Sequence, residues 1–195
     1  MKKILLVTIL NIVVLTGFSQ KVRLVAGSLL PVKGQRVILT EFNYDNMVIS
    51  KDEIPEQDYV KRKKRDYDAK EPGRGDKWEK AWIADRKTRF EPKFNELFSK
   101  HANVAIAGES KYKLIFKTIM TEPGWNVGMV RVPARINAEA FIVEIDNPSN
   151  VIARFTIMNA PGRDAAGFDY DTGYRLQEAY AKSGKEIGQL IAKAK

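Results

Sequence analysis

The 195-residue chain has no cysteine and a single histidine, His101. Without cysteine it cannot be a disulfide scaffold, a thiol enzyme or a cysteine-anchored lipoprotein, so an ordinary hydrophobic core must hold it together. With one imidazole as well, zinc ligand sets built from Cys and His are excluded. Long apolar runs are also scarce. One exists, from Ile4 to Leu15, broken by Thr8 and Asn11. It is shorter than the ~20 residues a membrane span requires. Lys2 and Lys3 precede it and Thr16-Gly17-Phe18-Ser19 follow it, the layout of a secretory signal peptide over residues 1–19 with cleavage before Gln20. No second run of this kind follows, so no integral membrane span is expected after cleavage. Residues 20–195 are long enough to build one core unaided and are read as a single domain.

The stretch from Tyr112 to Lys195 organises the rest. In Val151–Met158 the odd positions are apolar while Arg154 and Thr156 take the other side, the two-residue period of a half-buried strand. The run Ala138–Ile145 is a second strand, expected to turn Phe141, Val143 and Ile145 to one face. Asp146-Asn147-Pro148-Ser149-Asn150 joins the two as a turn. Tyr112–Met120 makes a third antiparallel strand with a wet outer face. From Thr172 onward Leu176, Tyr180, Gly184, Ile187 and Ile191 recur at helical spacing. Asp171 or Thr172 is the expected N-cap, and Ala181, Gly184 and Gly188 form a small-residue strip that lets the helix backbone approach the sheet.

Ahead of this lie strand patterns at Val22–Ala26 and Arg36–Phe42, then a mostly exposed helix over 55–70. A further helical region over 77–100 is expected to start with Asp76 as cap and to break at Pro92, which lacks a backbone donor. The predicted fold is α+β: an antiparallel sheet of about four or five strands covered by helices, in the order strand-strand-helix-helix-strand-strand-strand-helix.

The formal charge is +9, of which Lys2 and Lys3 belong to the leader, leaving +7. That balance invites an anionic partner. The densest run is Lys61-Arg62-Lys63-Lys64-Arg65, the candidate anion-binding patch. Asp58, Asp66 and Asp68 surround it, so a solvated, salt-bridged helix face is the competing reading. The leader argues against nucleic acid as the ligand.

Chemical motifs are few. A Ser/His/Asp triad would have to use His101, and no G-x-S-x-G elbow is present. Asp164, Asp169 and Asp171 could supply a carboxylate-based glycan hydrolase, or else form a polar loop that caps the last helix. Arg74-Gly75-Asp76 matches a tripeptide read by some adhesion receptors, a weak signal at three residues. The segment Glu122–Pro133 is longer than a hairpin loop needs to be and carries Trp125, Met129, Val130 and Arg131, the partner-binding candidates. Such a loop either docks a partner or folds back over a sheet edge.

The order of strands, charged helical insertion, three-stranded meander and Gly-containing closing helix resembles small envelope domains. These are typified by the amino-terminal domain of TolB, the lipoprotein activators of penicillin-binding proteins and the curli secretion channel subunit. The resemblance covers Tyr112 to Lys195 and is one of topology; the lipoproteins' anchoring cysteine is missing here. It implies an interaction module of the envelope. The expectation is therefore an exported, non-enzymatic periplasmic or extracellular module that binds an envelope protein or glycan and needs no cofactor or metal. A carboxylate hydrolase and a polyanion binder are the alternatives.

Overall fold

The computed structural model describes residues 21–127, 130–163 and 171–195. The leader assigned to 1–19 and its cleavage site lie outside the described residues, as do Met129, Asp164 and Asp169. The elements run β1 (Lys21–Gly27), β2 (Leu39–Asn43), β3 (Val48–Ile49), β4 (Ile54–Pro55), α1 (Glu56–Asp68) and α2 (Arg74–Asp85). A π-helical stretch (Arg86–Phe90), α3 (Glu91–Ala102), β5 (Tyr112–Glu122), β6 (Trp125–Val127) and β7 (Val130–Val132) follow. The chain closes with β8 (Arg135–Glu144), β9 (Val151–Pro161) and α4 (Thr172–Ala192).

The three-stranded meander forms as its alternation dictates: β5 pairs antiparallel with β8, β8 with β9, and β9 with β1. The sheet as a whole is larger and mixed, with seven strands in the order β1-β9-β8-β5-β3-β4 and β2 also paired to β5. Both β2 and β3 run parallel to β5, which corrects the purely antiparallel sheet of four or five strands. The reason is topological. The helical excursion from α1 to α3 is a crossover connection, long enough to return the chain beside β2 and β3 in the same direction. Strands β3 and β4 have two residues each, too few to print a period on the sequence. Strand β2 begins at Leu39, three residues later than the pattern suggested, because Val37 makes only an isolated bridge to Ala105.

The inward face of β9 is the predicted one, with Ala153, Phe155 and Ile157 wholly buried. The face of β8 is inverted. Ala138, Ala140 and Ile142 point to the core, and Phe141 lies half-buried on the outer face with the Arg154 guanidinium 5.4 Å above its ring. The small inward alanines leave room for the helix layer, and an irregularity between Ile142 and Val143 brings Val143 into the interior as well.

Helix α4 buries Leu176, Tyr180, Ile187 and Ile191 as its spacing requires, and Asp171 caps it by accepting from the Tyr174 N–H at 3.0 Å. Gly184 and Gly188 serve α3 rather than the sheet. A Cβ at Gly184 would sit 2.4 Å from the Phe94 carbonyl oxygen, and one at Gly188 would sit 2.8 Å from the Ala102 nitrogen. Helix α2 starts at Gly73 (φ 78°) instead of Asp76, and the Asp68 carboxylate of α1 accepts from the Gly75 N–H at 2.8 Å. From Arg74 to Ala102 the backbone stays helical throughout. The break expected at Pro92 is replaced by the π-helical turn just before it, where the Glu91 N–H bonds the Arg86 carbonyl. That wider turn absorbs the proline's missing donor and stacks Phe90 on Tyr180, ring centroids 4.7 Å apart.

Candidate functional site

At the end of the sheet where β5 finishes, three pieces of chain stand around a groove of about 700 Å³. One wall is the lip between β3 and β4, where Ser50 (φ 62°) and Glu53 (φ 52°) hold left-handed backbone. The Ser50 N–H reaches the Thr121 carbonyl at 2.9 Å, tying this lip to β5. The second wall is α1, which turns the buried Tyr59 with Arg62 and Lys63 toward the opening. The third is the two-stranded ribbon of β6 and β7, in which Trp125 faces Val132.

The ribbon is set by Pro123-Gly124. Gly124 has φ +73°, and a Cβ there would lie 2.7 Å from the Ala134 nitrogen and 2.9 Å from the Val132 oxygen, so only glycine fits. Arg175, buried in the first turn of α4, donates from Nε and Nη2 to the Pro123 carbonyl at 3.3 and 3.2 Å. The closing helix thus anchors the base of the ribbon. Trp125 itself is 46% exposed at the rim.

Two sets of candidates that are far apart in sequence meet here. Trp125 and Arg131 come from the ribbon, Arg62 and Lys63 from the basic run. Val130 lies in β7 opposite Val127. The basic run divides. Lys64 is bound by Asp76 at 2.5 Å and Glu79 at 2.9 Å, which raise its pKa above the ordinary lysine range, and Arg65 lies 3.9 Å from Asp66. Lys61 is exposed and does not line the groove. Arg62 and Lys63 each lie 5.9 Å from the Tyr59 ring centroid. Burial beside the groove, with some repulsion from Arg62 and Lys70, lowers the Lys63 ammonium from its ordinary value despite the attraction of Asp66.

Counted along its lining, the groove has five cationic side chains (Lys51, Arg62, Lys63, Arg131, Arg135) against two acidic ones, Asp52 and Glu122. Among the described residues Lys51, Arg62, Lys63 and Arg131 have no ion-pair partner. Elsewhere on the helical layer several cations are matched: Arg86 with Glu56, Lys87 with Glu91, Arg89 with Asp85 and Asp171, Lys93 with Glu96. The concave surface of the groove therefore carries a local excess of positive charge.

The remaining candidates are engaged in structure. His101 lies in the last turn of α3 and does not line the groove. Asp171, besides capping α4, takes the Arg89 guanidinium at 2.6 Å through both oxygens. Its burial would raise its pKa, but that guanidinium and the N–H groups of Tyr174 and Gly173 outweigh it and hold the carboxyl below its ordinary value. Arg74, Gly75 and Asp76 form the first turn of α2, with Gly75 buried and Asp76 held by Lys64. No cluster of three or more metal-ligating side chains occurs among the described residues, and none of their helices is long and apolar enough to cross a membrane.

Sequence reasoning missed Glu56, which accepts from the Trp82 indole N–H at 2.6 Å and from Arg86. The four-residue step from Trp82 to Arg86 was its one available trace. It also missed Arg175 and the Ser50–Glu53 lip, which become legible only once α4 and β3 are placed against the end of β5.

No protein-family model matches the chain, and no curated protein matches it. Among solved structures, protein XCC0632 of the DUF330 family from Xanthomonas campestris superposes with a TM-score of 0.42 at 10% identity, covering 78% of this chain and 81% of that one. A PelC dodecamer from Paraburkholderia phytofirmans superposes with a TM-score of 0.41 at 12% identity, covering 85% and 96%. A second PelC dodecamer from the same organism, carrying a leucine-to-methionine substitution, gives 0.35 at 12% identity, covering 87% and 98%. None of the three is named as a TolB, penicillin-binding-protein activator or curli protein, and likenesses this loose carry no functional argument.

Proposed function

We propose that this chain is an exported, non-enzymatic binding module of the cell envelope or its surroundings, and that its partner, a protein or a glycan, seats in the groove under Trp125. The observation that carries this reading is the position of Trp125: 46% exposed, on a ribbon pinned by Gly124 and Arg175, at the rim of a groove of about 700 Å³. An indole left in water at the edge of a cavity is a common binding anchor, since large aromatic side chains supply much of the energy at interfaces. The groove is within the size range of small-ligand and segment-binding clefts. Its lining holds no histidine, and its one serine hydroxyl, Ser50 Oγ, accepts from the Asp52 N–H at 3.2 Å, which supports binding over nucleophilic catalysis.

Affinity capture from the native envelope tests this, with tagged wild-type protein and the Trp125→Ala variant compared side by side. Envelope components held by the wild type should be lost from the variant. Equal recovery with both proteins would remove the groove from consideration as the binding site.

A further inference from the structure

We infer that the ligand of this groove is a carboxylated glycan, with the Trp125 ring stacked on the CH-rich face of a sugar and Arg62, Lys63, Lys51 and Arg131 meeting its carboxylates. This rests on the groove being the binding site and goes further by naming the ligand's chemistry. Three features of the lining must be matched together. The first is the uneven charge, five cations to two acids, with four of the cations lacking an ion-pair partner among the described residues. Such a surface attracts an anion and concentrates it before contact. The second is an exposed flat aromatic at the rim, Trp125, with the apolar Ile54, Pro123, Val132 and Pro133 beside it. The third is an exposed carboxylate among the cations, Asp52; the other acid of the lining, Glu122, is buried and its Oε1 accepts from the Gly124 N–H. A carboxylate only accepts hydrogen bonds, so a ligand group meeting Asp52 must donate.

A carboxylated sugar chain meets all three requirements: anionic groups for the cations, an apolar ring face for the indole, and hydroxyl donors for Asp52. An extended acidic peptide supplies the anions but offers no apolar ring face in register with them, and a neutral glycan leaves the cations unmatched. The cost of holding Lys63 half-buried with no ion-pair partner among the described residues, seen in its lowered affinity for a proton, is relieved when a carboxylate arrives.

The test uses the purified protein and four immobilised probes: polygalacturonate, the same polymer fully methyl-esterified, dextran and poly-glutamate. Retention is expected on polygalacturonate, falling as salt rises because the charges are screened, and not on the ester or dextran. Trp125→Ala should weaken retention about thirty-fold, the scale of a hot-spot truncation, and Trp125→Phe should restore most of it. Arg62→Glu and Lys63→Glu should each weaken it about ten-fold or more, while Lys61→Glu, on the same helix but outside the groove, should change it less than about two-fold. Circular dichroism and thermal midpoints of each variant separate loss of binding from loss of fold.

Equal binding of the methyl ester would overturn the acidic assignment while leaving the groove as a glycan site. Poly-glutamate binding as tight as polygalacturonate and indifferent to Trp125→Ala would overturn it in favour of unspecific polyanion exchange. An equal effect of Lys61→Glu would show a diffuse surface instead of a site. Absence of any retention on polygalacturonate would overturn the inference, and the envelope capture would then decide the groove separately.

Discussion

Asp171 shows how much a single side chain settles in this molecule. It caps α4 through the Tyr174 N–H and closes on Arg89 of the π-helical stretch, so one carboxylate joins two helices. Asp171→Ala is expected to cost about 1–2 kcal/mol, the range of a lost cap, read as a shift in the urea midpoint. The pH dependence has a definite sign. Since its folded pKa lies below the ordinary 3.8, the stability Asp171 provides is complete above that value and is lost as pH falls through the depressed one. Asp85, which shares Arg89, is raised above 3.8, chiefly by burial, and works the other way: it loses stability as pH rises from 3.8 through its folded pKa. Thermal midpoints between about pH 2 and pH 6 should show a shallower acid limb in Asp171→Asn than in the wild type. Unchanged limbs would mean the Arg89 contact is not populated in solution. Gly184 is a second decisive residue. Gly184→Val drives a side chain into the Phe94 backbone 2.4 Å away and should destabilise by about 1–3 kcal/mol or more, because backbone cannot step aside as a side chain does.

At the scale of elements, β8 makes the sharpest prediction. Its hydrophobic positions alternate on both faces, Ala138, Ala140 and Ile142 against Phe141, Val143 and Ile145, so either face could have been the inner one. The larger side chains favoured the wrong choice. What decides is the thickness of the layer above: α4 lies over this part of the sheet, and alanines accommodate it where Phe141 would not. Ile142→Ser should therefore cost about 3–5 kcal/mol, and Phe141→Ser, under Arg154 on the outer face, less than about 1.5 kcal/mol. The reverse order in denaturant midpoints would mean that β8 is slipped by one residue, since such a slip exchanges the faces. The α4 glycines follow the same logic. Their spacing announced a close neighbour, but a helix and a sheet make the same demand for small residues, and the identity of α3 as that neighbour is a matter of packing.

On the scale of the whole molecule, part of the excess charge that composition shows is brought together by the fold. Ion pairs engage Lys64, Lys87 and Lys93 on the helical layer, while Lys51, Arg62, Lys63 and Arg131 line one groove with Trp125. Trp78 and Trp82, by contrast, stack on each other at 5.7 Å, with Trp82 buried. Quenching separates these environments. Iodide should quench the emission assigned to Trp125 by difference with Trp125→Phe markedly more than caesium does, and the gap should close at high salt. Equal quenching by the two ions would show that the cations do not surround the indole.

Local pattern by itself determined the meander, the closing helix with its Asp171 cap, and the inward face of β9, because period and capping are properties of neighbouring residues. It also marked out both Trp125 with Arg131 and the Lys61–Arg65 run as distinct features. Only tertiary structure decided that β2 and β3 join β5 in parallel, that Lys64 is consumed by Asp76 and Glu79, and that Arg62 and Lys63 stand with Trp125 around one groove. Those outcomes depend on contacts between segments far apart along the chain, brought together by a crossover whose packing no local period encodes.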